Sequence, residues 1–167
     1  GSYINYSKGF VPPQITEIYN AIRVPYLLAQ DFSNMEIGSW YQYKKISAEV
    51  SVYSLQGNNE IISVRQTDGV NLNQNSGATS HTGIEYQVRY QLAPTMEISL
   101  NGSNTRHQYL NTIIKGVEVS GKEMNAAPHV LNNLGITWKP TKKVRTALEW
   151  IHQSSYYMDE TNATKYP

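Results

Sequence analysis

The sequence predicts an all-β fold, an antiparallel up-and-down meander of about seven strands. Three observations carry that expectation. Apolar and polar residues alternate with period two along most of the chain. No stretch keeps apolar residues at i, i+3 and i+4 over successive helical turns. Short and long connections also alternate, which in an antiparallel meander places the short turns at one end and the long loops at the other.

Each element follows from its own residues. The first strand covers about 2–8, where Ser2 to Ser7 alternates. The second and third cover about 34–43 and 46–55, around the tight turn Tyr43-Lys44-Lys45-Ile46. The fourth and fifth, about 82–92 and 95–108, flank Ala93-Pro94-Thr95. The sixth and seventh, about 129–138 and 143–156, flank Lys139-Pro140-Thr141-Lys142-Lys143. Polar stretches at 9–33, 56–81 and 109–128 join them. Loops of that length count against a compact soluble domain but are the rule at the extracellular end of an outer-membrane barrel.

Because a hairpin turn fixes register, faces can be assigned. One face carries Met35, Ile37, Tyr41 and Tyr43 against Ile46, Ala48, Val50 and Val52. It continues through Ile84, Tyr86, Val88, Tyr90 and Leu92 against Met96, Ile98 and Leu100, then Leu134, Ile136 and Trp138 against Val144, Leu148 and Trp150. None of these residues is charged. The charges Glu36, Glu49, Glu85, Arg89, Glu97, Arg145 and Glu149 all fall on the opposite face, which is expected to line a wet lumen. A soluble β-sandwich would alternate in the same way. The placing of Tyr41, Tyr43, Tyr90 and Trp138 near the short turns, with Trp150 and Tyr156-Tyr157 toward the other end, favours two aromatic girdles of a membrane barrel.

Composition agrees. A net charge of +1 gives no electrostatic basis for binding nucleic acid, and the lack of cysteine excludes disulfides, thiolate metal sites and a cysteine nucleophile. No window approaches a transmembrane helix, and the mean hydropathy of -0.49 suits a barrel whose strands alternate. The aromatic set of 13 Tyr and 3 Trp against 2 Phe favours rings with a polar handle, as at surfaces half apolar and half wet.

Catalytic constellations are not found. The carboxylates Glu49, Glu85, Glu97 and Glu149 could suggest a glycosidase pair, but Glu85 lies opposite Ser103 and Arg89 diagonal to Glu97, which reads as a charge-neutralising ladder. His81, His107, His129 and His152 show no metal-ligand spacing, and neither a Gly-rich phosphate loop nor a GxSxG elbow occurs. No enzyme activity and no resident cofactor are expected. Strand-end and loop residues Arg65, His81, Arg106, Tyr109, Tyr156 and Tyr157 are the candidate ligand contacts.

Five motifs in order then resemble the barrel of TonB-dependent outer-membrane receptors, particularly siderophore receptors. Tyr6-Ser7-Lys8-Gly9-Phe10-Val11-Pro12-Pro13 with the later Glu17-Ile18-Tyr19 looks like that family's S-x-G-F-R-x-P and E-L-Y. Asn34-Met35-Glu36-Ile37-Gly38 resembles N-Y-E-x-G, and His81-Thr82-Gly83-Ile84-Glu85 resembles R-G-x-E. Gly121-Lys122-Glu123-Met124-Asn125-Ala126-Ala127-Pro128 resembles a loop end ahead of a strand, and Trp150 to Asp159 the next strand and loop. Val11 stands where the family usually has Arg, and 21–33 departs from the usual L-K-P-E lead-in.

The resemblance implies that residues 1–167 are part of the C-terminal half of a 22-stranded transmembrane barrel in the bacterial outer membrane. It implies active, TonB-dependent uptake of a ferric siderophore or similar metal chelate, with the TonB energy-transducing complex, the chelate and the lipid bilayer as partners. A plug domain, a TonB box and the last strands are expected outside this segment, and the two sheet edges would prevent it from inserting alone. The alternatives are a secreted carbohydrate-binding sandwich and a plug-less porin-like barrel.

Overall fold

The computed structural model describes residues 1–19, 24–75, 77–114 and 116–167. Residues 20–23, in and next to the stretch that departs from the family pattern, lie outside the described residues, as does the side chain of Arg65. In chain order the elements are β1 (Ser2–Val11), α1 (Ile15–Ile18), β2 (Gln30–Tyr43), β3 (Ile46–Asn58), β4 (Ile61–Arg65), β5 (Asn71–Asn75) and β6 (Ala78–Ala93). There follow β7 (Met96–Asn111), β8 (Ile113–Ile114), β9 (Val117–Glu118), β10 (Val130–Thr141), β11 (Val144–Gln153), β12 (Tyr156–Tyr157) and β13 (Lys165–Tyr166). A 7-stranded antiparallel sheet runs in the order β1-β2-β3-β6-β7-β10-β11, the expected meander, and β4–β5, β8–β9 and β12–β13 are separate hairpins.

Two expectations need correction. The wall strands run further into the polar stretches than alternation suggests: β1 reaches Val11, β2 starts at Gln30, β3 ends at Asn58 and β6 starts at Ala78. A backbone ladder needs no apolar side chain, so pairing continues after the hydrophobic signal has ended. Tyr156 and Tyr157 do not belong to the seventh wall strand, which stops at Gln153; they form β12 of a small hairpin, where Tyr156 stacks on Tyr166 at 5.2 Å.

The predicted register is the observed one. Tyr43 pairs with Ile46, Tyr41 with Ala48 and Ile37 with Val52, and Glu85 sits opposite Ser103. Leu134 pairs with Trp150 and Ile136 with Leu148. The uncommon feature is that the apolar face is open: Ile37 is 51% exposed, Val52 53% and Leu148 68%, as open as Glu49, Glu85 and Arg89 on the charged face. A soluble sheet hides its apolar face, so this one is inverted. Among the described residues the wall is one layer, which leaves the sandwich alternative without its second sheet.

The tyrosines have a specific task. Tyr53 pairs across the ladder with Gly83, and its hydroxyl passes over to Thr105 Oγ1 on β7 at 2.9 Å. Tyr86 pairs with Gly102, and its hydroxyl donates to Asn132 Oδ1 on β10. Tyr3 lies over Gly38 and donates to Glu36. At Gly38 and Gly102 the missing Cβ leaves room for the tyrosine, and at Gly83 for Thr105, to which the Tyr53 hydroxyl bonds; a tyrosine supplies both the ring and the bond beyond it. A Cβ at Gly102 would come within 2.6 Å of the Leu131 carbonyl oxygen, while one at Gly9 would meet nothing within 4 Å. Gly102→Val is therefore expected to destabilise the fold by about 1–3 kcal/mol in chemical unfolding, and Gly9→Val by much less.

The only hydrophobic core among the described residues lies in the loops. Val64, Tyr109, Ile114 and Val119 are buried together, with Ile62 and Met124 packed against them. The hairpin β4–β5 and the segment 112–129 are thereby joined. Asparagine side chains extend the network on both sides. Asn75 Oδ1 accepts from the Leu28 N–H at 2.9 Å while its Nδ2 donates to the Leu28 carbonyl at 3.1 Å. Asn162 does the same with Glu123, at 2.9 and 2.8 Å. Each pair imitates a strand bridge, so the loops form a continuous rim.

Candidate functional site

The charged face is concave. A cavity of about 660 Å³ opens on it, lined by residues from all seven wall strands, among them Tyr3, Glu36, Glu49, Glu85, Asn101 and Asn133. Alternation puts these side chains on one side because every strand contributes its polar set there. Arg89, Glu97, Arg145 and Glu149 share the same side by register or strand parity, while Tyr41, Tyr43, Tyr90, Trp138 and Trp150 stand on the other. The expected charge ladder is not formed by ion pairing: among the described residues the ion pairs are His81–Glu60 and His129–Glu123, both 3.1 Å, and Arg89 and Glu97 make none. Adjacent rows of a wet surface can stay solvated, which costs little.

Above the cavity, toward the long loops, lies a histidine relay. His81 and His107 pair across β6 and β7 with their Nδ1 atoms 2.7 Å apart, and His81 Nε2 meets Glu60 Oε1 at 3.1 Å. Two facing Nδ1 atoms can share one proton but cannot both carry one, so the pair has opposite tautomers when neutral. Burial of Glu60 opposes its ionisation, but the hydrogen bond and charge of His81, with Thr79, hold its carboxyl below the usual carboxylate range. No group of three His, Cys, Asp or Glu among the described residues is placed to hold a metal ion.

Of the six expected ligand contacts, those with described side chains fall in different settings. His81 faces the concavity within the relay. Arg106 pairs with Thr82 and stands exposed on the opposite face of β7. Tyr109 is 0% exposed and donates to Asn125 Oδ1 at 2.9 Å, so it is a packing residue. Tyr157 has the Lys165 ammonium 5.3 Å from its ring centre, and its carbonyl accepts from the Ala126 N–H. Arg65 ends β4, with its side chain outside the described residues. His107 and Glu60 were not among the sequence candidates, although the register that puts Glu85 opposite Ser103 also puts His81 opposite His107.

The rim carries one pH-sensitive latch. Asp159 accepts from the Thr161 hydroxyl and from the N–H groups of Ala163, Thr164 and Thr161, at 3.1, 2.7 and 3.0 Å for the three N–H groups, and these hold its carboxyl down at about 2. A folded-state value below the unfolded one stabilises above the unfolded value of 3.8 and is lost as pH falls toward 2. Amide exchange across 158–165, corrected for intrinsic rates, is expected to accelerate between pH 4 and 2, and Asp159→Asn to remove that step.

An inverted single-layer sheet with a polar concavity and a shared loop end is barrel wall. Residues 3–167 match the family model described as TonB dependent receptor-like, beta-barrel. The chain belongs to that family. Among solved structures, this receptor-barrel segment is similar to the ferric yersiniabactin uptake receptor FyuA from Yersinia pestis, at 15% identity and a TM-score of 0.70 over 98% of this chain and 25% of that one. It is also similar to the siderophore receptor PiuA from Acinetobacter baumannii, at 14% identity and a TM-score of 0.74 over 99% and 25%. The copper transporter OprC gives 14% identity and a TM-score of 0.73 over 92% and 24%. The receptor-barrel segment thus spans about a quarter of the length of these structures, and they support its fold.

Proposed function

We propose that this segment is part of the wall of an outer-membrane receptor that takes up a ferric siderophore or similar small metal chelate with energy from the TonB complex. The observation that carries the reading is the inverted sheet: an apolar face exposed from β2 to β11, uncharged between the short turns and the row of Ile84 and Asn104 and carrying Asp31 and Arg106 at its loop end, behind a concave polar face. In this reading Tyr41, Tyr43, Tyr90, Trp138 and Trp150 are girdle residues, and Glu36, Glu49, Glu85, Arg89, Glu97, Arg145 and Glu149 face the lumen of a 22-stranded barrel. The linked loops 12–29, 59–77, 112–129 and 154–164 form the extracellular rim, where His81 is the contact that remains best placed for a chelate. The TonB complex acts through a plug domain inside that barrel. The neighbours named as a ferric yersiniabactin uptake receptor, a siderophore receptor and a copper transporter support a metal-containing cargo.

The test is uptake by cells carrying the full receptor, supplied under iron limitation with radiolabelled ferric catecholate, hydroxamate and citrate chelates. Uptake of one of them is expected to fall to background when either the receptor or TonB is deleted. Uptake of every chelate unchanged by both deletions would overturn the reading, and passive sugar or ion flux that survives loss of TonB would point to a porin-like barrel.

A further inference from the structure

The chain's net charge is only +1, yet its cations are unevenly placed. Of 14 Lys and Arg, six (Lys44, Lys45, Lys139, Lys142, Lys143 and Arg145) lie in or beside two of the short turns. In segments 40–48, 91–97 and 136–148, Glu97 is the single carboxylate, and all three Asp lie in or beside the long connections at the other end. Nothing in strand pairing requires this, since a turn needs local backbone geometry and not charge.

The three short turns follow β2, β6 and β10, every second strand boundary, so they stand in a row about 10 Å apart. The last has a built shape. The ladder between β10 and β11 is irregular between Trp138 and Thr141, and the Lys139 N–H donates to the Thr95 carbonyl at 2.7 Å, which ties this turn to its neighbour. Between them opens a concavity of about 620 Å³ lined by Thr95, Lys139, Thr141, Lys142, Lys143 and Arg145, with no carboxylate on its wall. The row also adjoins the apolar face. Trp138 immediately precedes Lys139, and the Lys44 ammonium lies 5.0 Å from the centre of the Tyr43 ring. Exposed cations next to exposed aromatic rings sit where hydrocarbon gives way to headgroups.

We propose that the turns at Lys44-Lys45 and Lys139–Lys143 form a binding site for anionic phospholipid headgroups on the short-turn side of the membrane. This rests on the outer-membrane reading above. Lys139, Lys142 and Lys143 line the opening, and Trp138 and Val144 anchor the acyl side. Free phosphate would satisfy the charge but not the adjoining apolar surface. An acidic protein would need no aromatic girdle beside its site.

The experiment uses the full receptor in neutral detergent, mixed with phosphatidylcholine and phosphatidylglycerol, with retained lipid counted by native mass spectrometry. Phosphatidylglycerol is expected to be retained over phosphatidylcholine, and the preference to fall about tenfold or more in K139Q/K142Q/K143Q. K8Q, at the other end of the wall, is expected to leave it unchanged. The preference is expected to weaken as salt rises and to survive millimolar inorganic phosphate. Equal retention of both lipids, a preference untouched by the triple variant, or full displacement by free phosphate would each overturn the proposal. Failure of the receptor to enter vesicles of either lipid would overturn the membrane reading instead.

Discussion

Val88→Arg is expected to destabilise the barrel by about 2–4 kcal/mol when the full receptor is unfolded by denaturant from phospholipid vesicles, while Gln87→Arg costs little. The two positions are neighbours in β6. Val88 lies between Ala48 and Leu100 in an apolar row, and Gln87 lies between Glu49 and Asn101 in a polar one. Arginine at position 88 would have to leave water for hydrocarbon, with no partner among Ala48, Leu100 and the Leu134 beyond it. At position 87 it would enter a wet concavity that already holds Glu49 and Glu85. The sign is diagnostic. If the apolar face met water, replacing the partly exposed Val88 with arginine would cost little. Equal stability of the two variants would overturn the membrane assignment of the faces.

The second large effect is expected at Tyr109. Truncation of a fully buried aromatic side chain to alanine costs about 3–5 kcal/mol. Tyr109 is 0% exposed, packed with Val64, Ile114 and Val119, and hydrogen-bonded through its hydroxyl to Asn125. Its backbone is engaged as well, accepting from the Gly121 N–H and donating to the Lys122 carbonyl. Tyr109→Ala should therefore release 61–75 and 112–125 together, read as amide exchange rising in both segments while β2 and β3 stay protected. Tyr109→Phe keeps the packing and loses one hydrogen bond, about 1 kcal/mol, with exchange rising mainly near Asn125. If alanine opened only one of the two segments, the loop core would not couple them.

The wall was legible in the sequence because two signals agreed along every strand. Side-chain alternation marked the faces, and the turns at Lys44-Lys45, Pro94 and Pro140 fixed which residues meet. The opposition of Glu85 and Ser103 followed directly. The loops were less legible for a physical reason: their order comes from contacts between segments distant in sequence. Leu28 with Asn75, Val64 with Val119 and Glu123 with Asn162 leave no periodic trace. A local signal was present for β4–β5, since Thr67-Asp68-Gly69 is a turn signature; Gly69 takes a φ of 83 and Asp68 accepts from the Val70 N–H. The candidate site suffered most. Tyr109 reads as an exposed loop aromatic from its neighbours, and only the folded rim shows it buried. Arg106 fell on the outward face because one residue of parity separates it from His107.

The tyrosines that cross glycines also bear on how such a wall is put together. Tyr53 belongs to the hairpin β2–β3 and its hydroxyl partner Thr105 to the hairpin β6–β7; Tyr86 belongs to β6–β7 and its partner Asn132 to β10–β11. Each bond therefore joins one hairpin to the next rather than two strands of the same hairpin. Hairpins are local and form early, whereas docking one on another closes a long polymer loop and is slow. A hairpin arriving two residues out of step would keep its faces sorted, so alternation alone would not reject it. It would, however, set Tyr53 against Glu85 or His81 where Gly83 now makes room, and leave the hydroxyl without Thr105. The glycine–tyrosine pairs thus penalise even-numbered register slips, the class of error that alternation leaves unmarked.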